Sequence, residues 1–297
     1  MKPTVIRSTL AIAAVVAAAA PAAAQRSFDW NGPVSAGSSL RVFTQNGTVT
    51  VRQSGDGRAH IHGVTENARG GDQIRYLTDG GGGGDFRVCA VRDNASCSEN
   101  GIRSGSDHGW NGNRARANFT VEVPRGVVVR VSSGNGDVAV DGATADVHAG
   151  SGNGDVRVGS GAVQVNASTG NGEVMVDGAR GPVHASSGNG RVVVRTATGP
   201  VNASTGNGRI EVAMASTRAA GDMEFSSGNG SVVLTLPADF GAELEATTGS
   251  GAIETDFPLR VQGRVSHHRM AGTIGNGGRR LKISTGNGSI YLRRAGS

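Results

Sequence analysis

Aromatic side chains are scarce: Phe, Trp and Tyr make up 4% of 297 residues. That excludes an ordinary globular core built on Phe and Leu. Cysteine occurs only at Cys89 and Cys97, and two cysteines with seven residues between them make a poor metal site. Neither sign of charge dominates: 29 Lys and Arg face 24 Asp and Glu, which excludes the concentrated basic surface of a nucleic-acid binder. No apolar run is long enough to span a bilayer comfortably; the longest covers 10–20 and no second one follows. The 49 glycines show no three-residue period, which excludes collagen.

What is present begins with an export signal. Residues 1–24 carry Lys2 and Arg7, then the apolar run, then Pro21 and small residues ending in an Ala-x-Ala site, so cleavage is expected after about Ala24. No cysteine at that site supports a lipid anchor. Removing Lys2 and Arg7 lowers the net charge from +5 to +3. In the oxidising compartment that an exported chain enters, Cys89 and Cys97 are expected to pair and close the loop CAVRDNASC.

The rest of the chain is dominated by one phrase. SSGNGDVAV, at 132–140, returns as GSGNGDVRV, STGNGEVMV, SSGNGRVVV, STGNGRIEV, SSGNGSVVL and STGNGSIYL. A catalytic loop is made once; a phrase repeated at fixed interval describes a structural coil. Its central glycine falls at Gly134, Gly152, Gly170, Gly188 and Gly206, eighteen apart, and again at Gly228, Gly249 and Gly286. Aligning on it gives β-branched columns such as Val138, Val156, Val174, Val192 and Ile210, preceded by Val129, Val147, Val165, Val183 and Val201. These alternate with polar positions, so each unit holds two half-buried strands. The column Arg130, His148, Asn166, His184, Asn202, Glu224, Glu245, Lys282 keeps only polarity and should face water.

The Gly-Asn-Gly is the corner between the two strands, where the alternation slips by one and backbone at positive φ is needed. Asn135, Asn153, Asn171, Asn189, Asn207, Asn229 and Asn287 occupy this structural position and could stack as an amide ladder. Two architectures fit: an up-and-down meander with Asn-Gly hairpins, or a solenoid whose units stack in register. The opposite connection (DGATAD, GSGAVQ, DGARGP, RTATGP) has no fixed turn pair, which favours the solenoid. The expected fold is therefore all-β: a single-stranded β-helix or β-solenoid of eighteen-residue coils over 126–297. It continues from a less regular β portion at 25–125 without a domain boundary. In that portion LRVFTQNGTVTV fits the same columns, 89 residues before Val129. Strands are expected around 60–64, 73–77, 86–91 and 119–123, interrupted by the glycine run at 80–84 and by 94–113, a long mobile surface loop tethered by the disulfide.

With LRVFTQNGTVTV, the lead-in VEVPRGVVVRVSSGNGDVAV, the repeated units and the closing GTIGNGGRRLKISTGNGSIYL, the chain resembles a bacterial putative adhesin family of exported β-strand-repeat proteins. That family is a domain of unknown function related to the head domain of putative autotransporter adhesins. The resemblance spans about Leu40 to Leu292. It implies a right-handed β-helix-like solenoid with an envelope or surface role and supplies no catalytic residues.

Candidate sites are few. Asp137, Asp155 and Glu173 follow successive corners and could share a cation such as calcium; a solvated column relieved by Arg191 is the competing reading. The histidine pairs His60/His62 and His267/His268 lack an obvious carboxylate or thiolate partner nearby in sequence. Trp30, Trp110, Tyr76 and Tyr291 are scattered, so a sugar platform is not evident. Arg260, Arg264, His267, His268, Arg269, Arg279, Arg280, Lys282, Arg293 and Arg294 concentrate charge near the end, either as a contact for anionic lipid or polysaccharide or as a solvated cap. The resulting expectation is a non-enzymatic protein without catalytic, metal or cofactor residues. It would be structural or adhesive at the cell envelope, periplasmic or on the surface, with envelope polysaccharide, lipid or surface protein as conceivable partners. The alternatives are a glycan-acting β-helix enzyme or a polyanion-binding envelope protein.

Overall fold

Each inward column of the sequence is a stack of parallel strands. Val147 pairs with Val165, Val165 with Val183 and Val183 with Val201; beyond the corner, Val138, Val156, Val174, Val192 and Ile210 pair in succession. All of these valines and Ile210 are fully buried. A meander would pair its neighbours antiparallel, so the parallel register selects the solenoid. The computed structural model describes residues 27–66, 73–92, 95–103, 115–214, 216, 221–261 and 266–296, and every regular element among them is a strand. The expected signal peptide, Trp110 and Arg264 lie outside the described residues.

The strands before each corner form a thirteen-stranded sheet and those after it a twelve-stranded sheet, with the valine columns between them. The return connections make a third wall. There Ala143, Ala162 and Ala179 are buried, and amides bond from coil to coil, as from Arg180 N–H to the Ala162 carbonyl at 3.0 Å.

The corner phrase now has a physical account. Its second glycine takes φ of 146° at Gly154 and 147° at Gly172, a region closed to most L-residues. Its first glycine is required by crowding, since a Cβ on Gly170 would lie 2.5 Å from the Gly152 carbonyl oxygen of the adjacent coil. The Ser or Thr before it points inward and donates to a corner carbonyl one coil away: Thr169 Oγ1 to Gly154 at 2.8 Å, Ser187 to Gly172 at 2.9 Å, Thr205 to Gly190 at 2.9 Å. The asparagine between the glycines stays on the exposed side. Asn153 Nδ2 donates to Asn135 Oδ1 at 2.8 Å and Asn171 to Asn153 at 2.7 Å, and the run continues through Asn189, Asn207, Asn229 and Asn287. At the first end Asn135 donates to Asn46.

Sequence order and stacking order part company at both ends. The coil at 39–53 lies directly under 128–140, with Leu40 on Val129 and Val49 on Val138. The intervening chain builds the first end. Strands Phe86–Arg92 and Arg116–Val123 add one parallel layer to the two sheets, and Ile74–Gly80, Ala59–Glu66 and Ser27–Gly32 pair antiparallel beyond them. At the other end the last coil, 279–294, slots between 223–236 and 242–255: Asn229 pairs with Asn287, and Leu281 with Leu244. Units that follow one another in sequence therefore do not all stack in succession. The displaced coil carries Ser250 where the others carry asparagine. A serine cannot extend the amide ladder, which stops at Asn287. The displaced coil's exposed edge is covered by antiparallel strands Arg269–Ile274 and Leu259–Val261, which blunt the open edge.

Candidate functional site

The outward face of the thirteen-stranded sheet bears two adjacent rows. One is Arg130, His148, Asn166, His184 and Asn202, each paired with the next across neighbouring strands. The other is Ser132, Gly150, Ser168, Ser186 and Ser204. Small side chains in the second row leave a groove of about 590 Å³ that runs along the stacking axis across the six strands from Val128–Asn135 to Met223–Asn229, with Phe43 of a seventh, Ser39–Asn46, at one end.

Each end of the groove is closed differently. At the first end stand Glu99 and Asn100, the tip of a hairpin formed by Ser96–Ser98 and Gly101–Arg103. The Cys89–Cys97 disulfide ties this hairpin to the sheet, and it covers Phe43, Cys89 and Val91, which form a small second core outside the solenoid. The described part of the expected mobile loop is therefore a packed flap; 93–94 and 104–114 lie outside the described residues. At the far end Lys282 Nζ meets Glu224 Oε1 at 2.8 Å, which raises the lysine pKa, and Asn202 Oδ1 accepts the Glu224 backbone N–H at 2.9 Å.

The middle of the groove carries hydrogen-bonding groups and no carboxylate. Burial and the nearby Arg130 guanidinium push the His148 pKa down, so its imidazole is neutral at pH 7. Asn166 Nδ2 approaches its Nδ1 at 3.4 Å. Arg130 has no ion-pair partner among the described residues. Glu99 and Glu224 lie at opposite ends, and at strand spacing the coils from Arg130 to Glu224 span roughly 24 Å. That is too far for a cooperating acid–base pair, whereas rows of donors and acceptors can hold an extended polar ligand.

A family model described as Toastrack DUF4097 matches residues 38–293, the span from the first coil to the last. The chain belongs to that family. No curated protein matches it. It is similar to the crystal structure of a putative adhesin from Bacteroides fragilis, with 14% identity, 90% of this chain and 97% of that chain covered, and a TM-score of 0.46. A putative adhesin from Parabacteroides merdae gives 10%, 90%, 96% and 0.41, and a putative cell adhesion protein from Clostridium sporogenes 11%, 90%, 99% and 0.33.

Elsewhere on this Toastrack chain the sequence candidates have local partners. Asp137 Oδ1 accepts the Asp155 N–H at 2.8 Å and Asp155 Oδ1 that of Glu173 at 2.9 Å, so the acids occupy corner amides left outside the ladder. Arg157 pairs with Asp155 and Arg191 with Glu173, both at 3.1 Å. The histidines of one pair do have carboxylates: His60 Nε2 lies 2.9 Å from Asp56 and His62 Nδ1 2.5 Å from Asp29. The second partner arrives from another strand, which sequence proximity could not reveal. Among the described residues no group of three or more His, Cys, Asp or Glu could hold a metal. Two of the aromatics are not scattered. Trp30 stacks on Phe86 at 3.7 Å between ring centroids and Tyr76 lies beside Phe28 and Phe119, where they close the first end of the core. The basic residues near the C-terminus are spread over several faces. Arg269 pairs with Glu245, Lys282 with Glu224, and Arg293 with Glu254 and Asp256, while Arg260 donates to the Gly275 carbonyl.

Proposed function

We propose that this Toastrack chain is an exported, non-enzymatic β-solenoid with a structural or adhesive role at the bacterial cell envelope. On this reading 1–24 is removed as a signal peptide. Residues 25–125 form a less regular β portion continuous with the eighteen-residue coils of 126–297, and the Asn135-to-Asn287 corners are structural. The observation that carries the reading is the groove: six coils present a polar row beside a row of small residues, and its two carboxylates are held at opposite ends, one of them paired with Lys282. Such a surface suits holding more than cutting. Ion pairs take up Arg269, Lys282 and Arg293, which leaves these three less available to a polyanion. Among the described residues no helix is long and apolar enough to cross a membrane.

The test is fractionation with protease shaving of intact cells. Recovery in the periplasm, or loss on shaving, is expected; recovery in the cytoplasm of unlysed cells would overturn the reading. Shortening of a purified envelope polysaccharide on incubation would favour the glycan-acting enzyme instead.

A further inference from the structure

We infer that the groove on the thirteen-stranded sheet binds an extended β-1,4-linked glycan lying along the stacking axis, one sugar per coil. This rests on the envelope reading above and goes further by naming the ligand class.

The groove and such a glycan have commensurate repeats. Strands in a sheet stand about 4.8 Å apart, so every groove row repeats at that interval. An extended β-1,4-linked chain advances by about one coil per sugar, and alternate sugars are turned over, so its chemical period is two. The middle of one row shows the same doubling: His148, Asn166, His184 and Asn202 alternate with a period of two coils, about 9.6 Å, beside a serine row that repeats at every coil from Ser168 to Ser204. An extended peptide laid in the same direction advances about 3.3 Å per residue and turns its side chains over at every residue, so a side chain on the groove face meets the same group again only after about four coils.

The groove's hydrogen-bonding groups also match a sugar's. The Ser132, Ser168, Ser186 and Ser204 hydroxyls have no protein partner among the described residues, and all are at least partly open to solvent. Hydroxyls, amides and a neutral imidazole are each donor and acceptor, which is what sugar hydroxyls and acetamido groups require. Between Arg130 and Glu224 the groove has no carboxylate, guanidinium or ammonium, so its middle suits an uncharged stretch of polymer. A polyproline II peptide, at about 3.1 Å per residue and three residues per turn, would also keep step. Its known docking surfaces are lined by aromatics, though, and the only aromatic here is Phe43 at one end. Without an aromatic platform each sugar adds little on its own, and binding must accumulate along the rows.

The experiment is calorimetric titration of the exported, disulfide-intact chain with β-1,4-linked N-acetylglucosamine oligomers from dimer to octamer, beside a proline-rich peptide. Affinity is expected to climb with each sugar to the hexamer, matching the six strands, and then level off. Ser186→Trp fills the groove from a residue that faces away from the core and should weaken hexamer binding by about tenfold or more. Arg157→Trp, on the other sheet, should leave it unchanged, with circular dichroism confirming that both variants fold. No hexamer binding, affinity independent of length, indifference to Ser186→Trp, or preference for the proline-rich peptide would each overturn the assignment. A chain that is shaved from cells yet binds no oligomer defeats the ligand class alone. A cytoplasmic chain defeats the envelope reading whatever it binds, and shortened oligomers defeat the non-enzymatic reading while leaving the groove.

Discussion

Thr169→Val tests why the repeated phrase needs a hydroxyl before its glycine. Thr169 is 6% exposed and its Oγ1 donates to the Gly154 carbonyl at 2.8 Å. Valine keeps the shape and the β-branch but cannot donate, so the carbonyl loses this partner beside the core. Leaving such a group unpaired costs about 1–3 kcal/mol. Burying a methyl in place of the hydroxyl returns at most about 0.8 kcal/mol, so the net loss should be about 0.2–2.2 kcal/mol. Ser168 is the control: it is next in the chain, faces the groove and makes no protein hydrogen bond among the described residues. Ser168→Ala should stay within about 0.5 kcal/mol of the parent. Urea unfolding followed by circular dichroism reads both, and an unchanged slope shows that the midpoint shift reports stability. A Thr169→Val variant as stable as the parent, or a larger loss in Ser168→Ala, would refute the assignment of the inward hydroxyl.

Mass spectrometry should find Cys89 linked to Cys97, and removing the bridge with Cys97→Ser should cost about 2–3 kcal/mol from loop closure, read as increased hydrogen exchange in 95–103. The backbone N–H of Arg58, His60 and Ser54 hold the Asp56 carboxyl well below its usual 3.8. Its stabilising share is thus present above about pH 4 and lost as pH falls toward the lowered folded value, so Asp56→Asn should flatten the acid limb of a stability–pH curve. Val174 is fully buried between Val156 and Val192, and Val174→Arg should cost several kcal/mol, on the order of the whole stability of a domain. Met175→Arg should cost far less, though more than a fully exposed change, because Met175 is half-buried and its row neighbour Val193 is buried; thermal melts with the order reversed would place the strands the wrong way round.

The inward and outward parity of the strands could be read from the sequence because period-two alternation decides which face a side chain takes before any tertiary contact exists. Which coil neighbours which could not be read so directly. Every coil offers the same parallel edge, so spacing alone cannot tell succession from insertion, and 279–294 was free to fill a gap left by 242–255. The informative residue was a small one: Ser250, in TTGSGAIE, breaks the run of corner asparagines and marks the coil that ends the ladder. The aromatic cap was hidden for a different reason. Phe28, Trp30, Tyr76, Phe86 and Phe119 lie on strands far apart in the chain that meet only when the first end closes. The polar row was visible as a row, but the closed first end of its groove needs the hairpin tip at Asn100, and nothing local to 95–103 says where that hairpin lands.

Where this fold can acquire a binding specificity follows from which positions each coil leaves free. The inward positions are closed by valine columns, the corner by carbonyls that no Cβ can approach, and the third wall by buried alanines. Only outward positions remain open, and the two sheets use them differently. On the twelve-stranded sheet the outward row runs Ala139, Arg157, Met175, Val193, Glu211, with Arg157 and Glu211 taken up by ion pairs and Val193 buried. On the thirteen-stranded sheet the corresponding row alternates imidazole and amide beside hydroxyls without protein partners among the described residues. A ligand read by such rows meets the same groups again at every second coil. Its affinity must therefore come from a repeating chain in step with the stack, and a compact ligand of one or two units would use only a fraction of the surface.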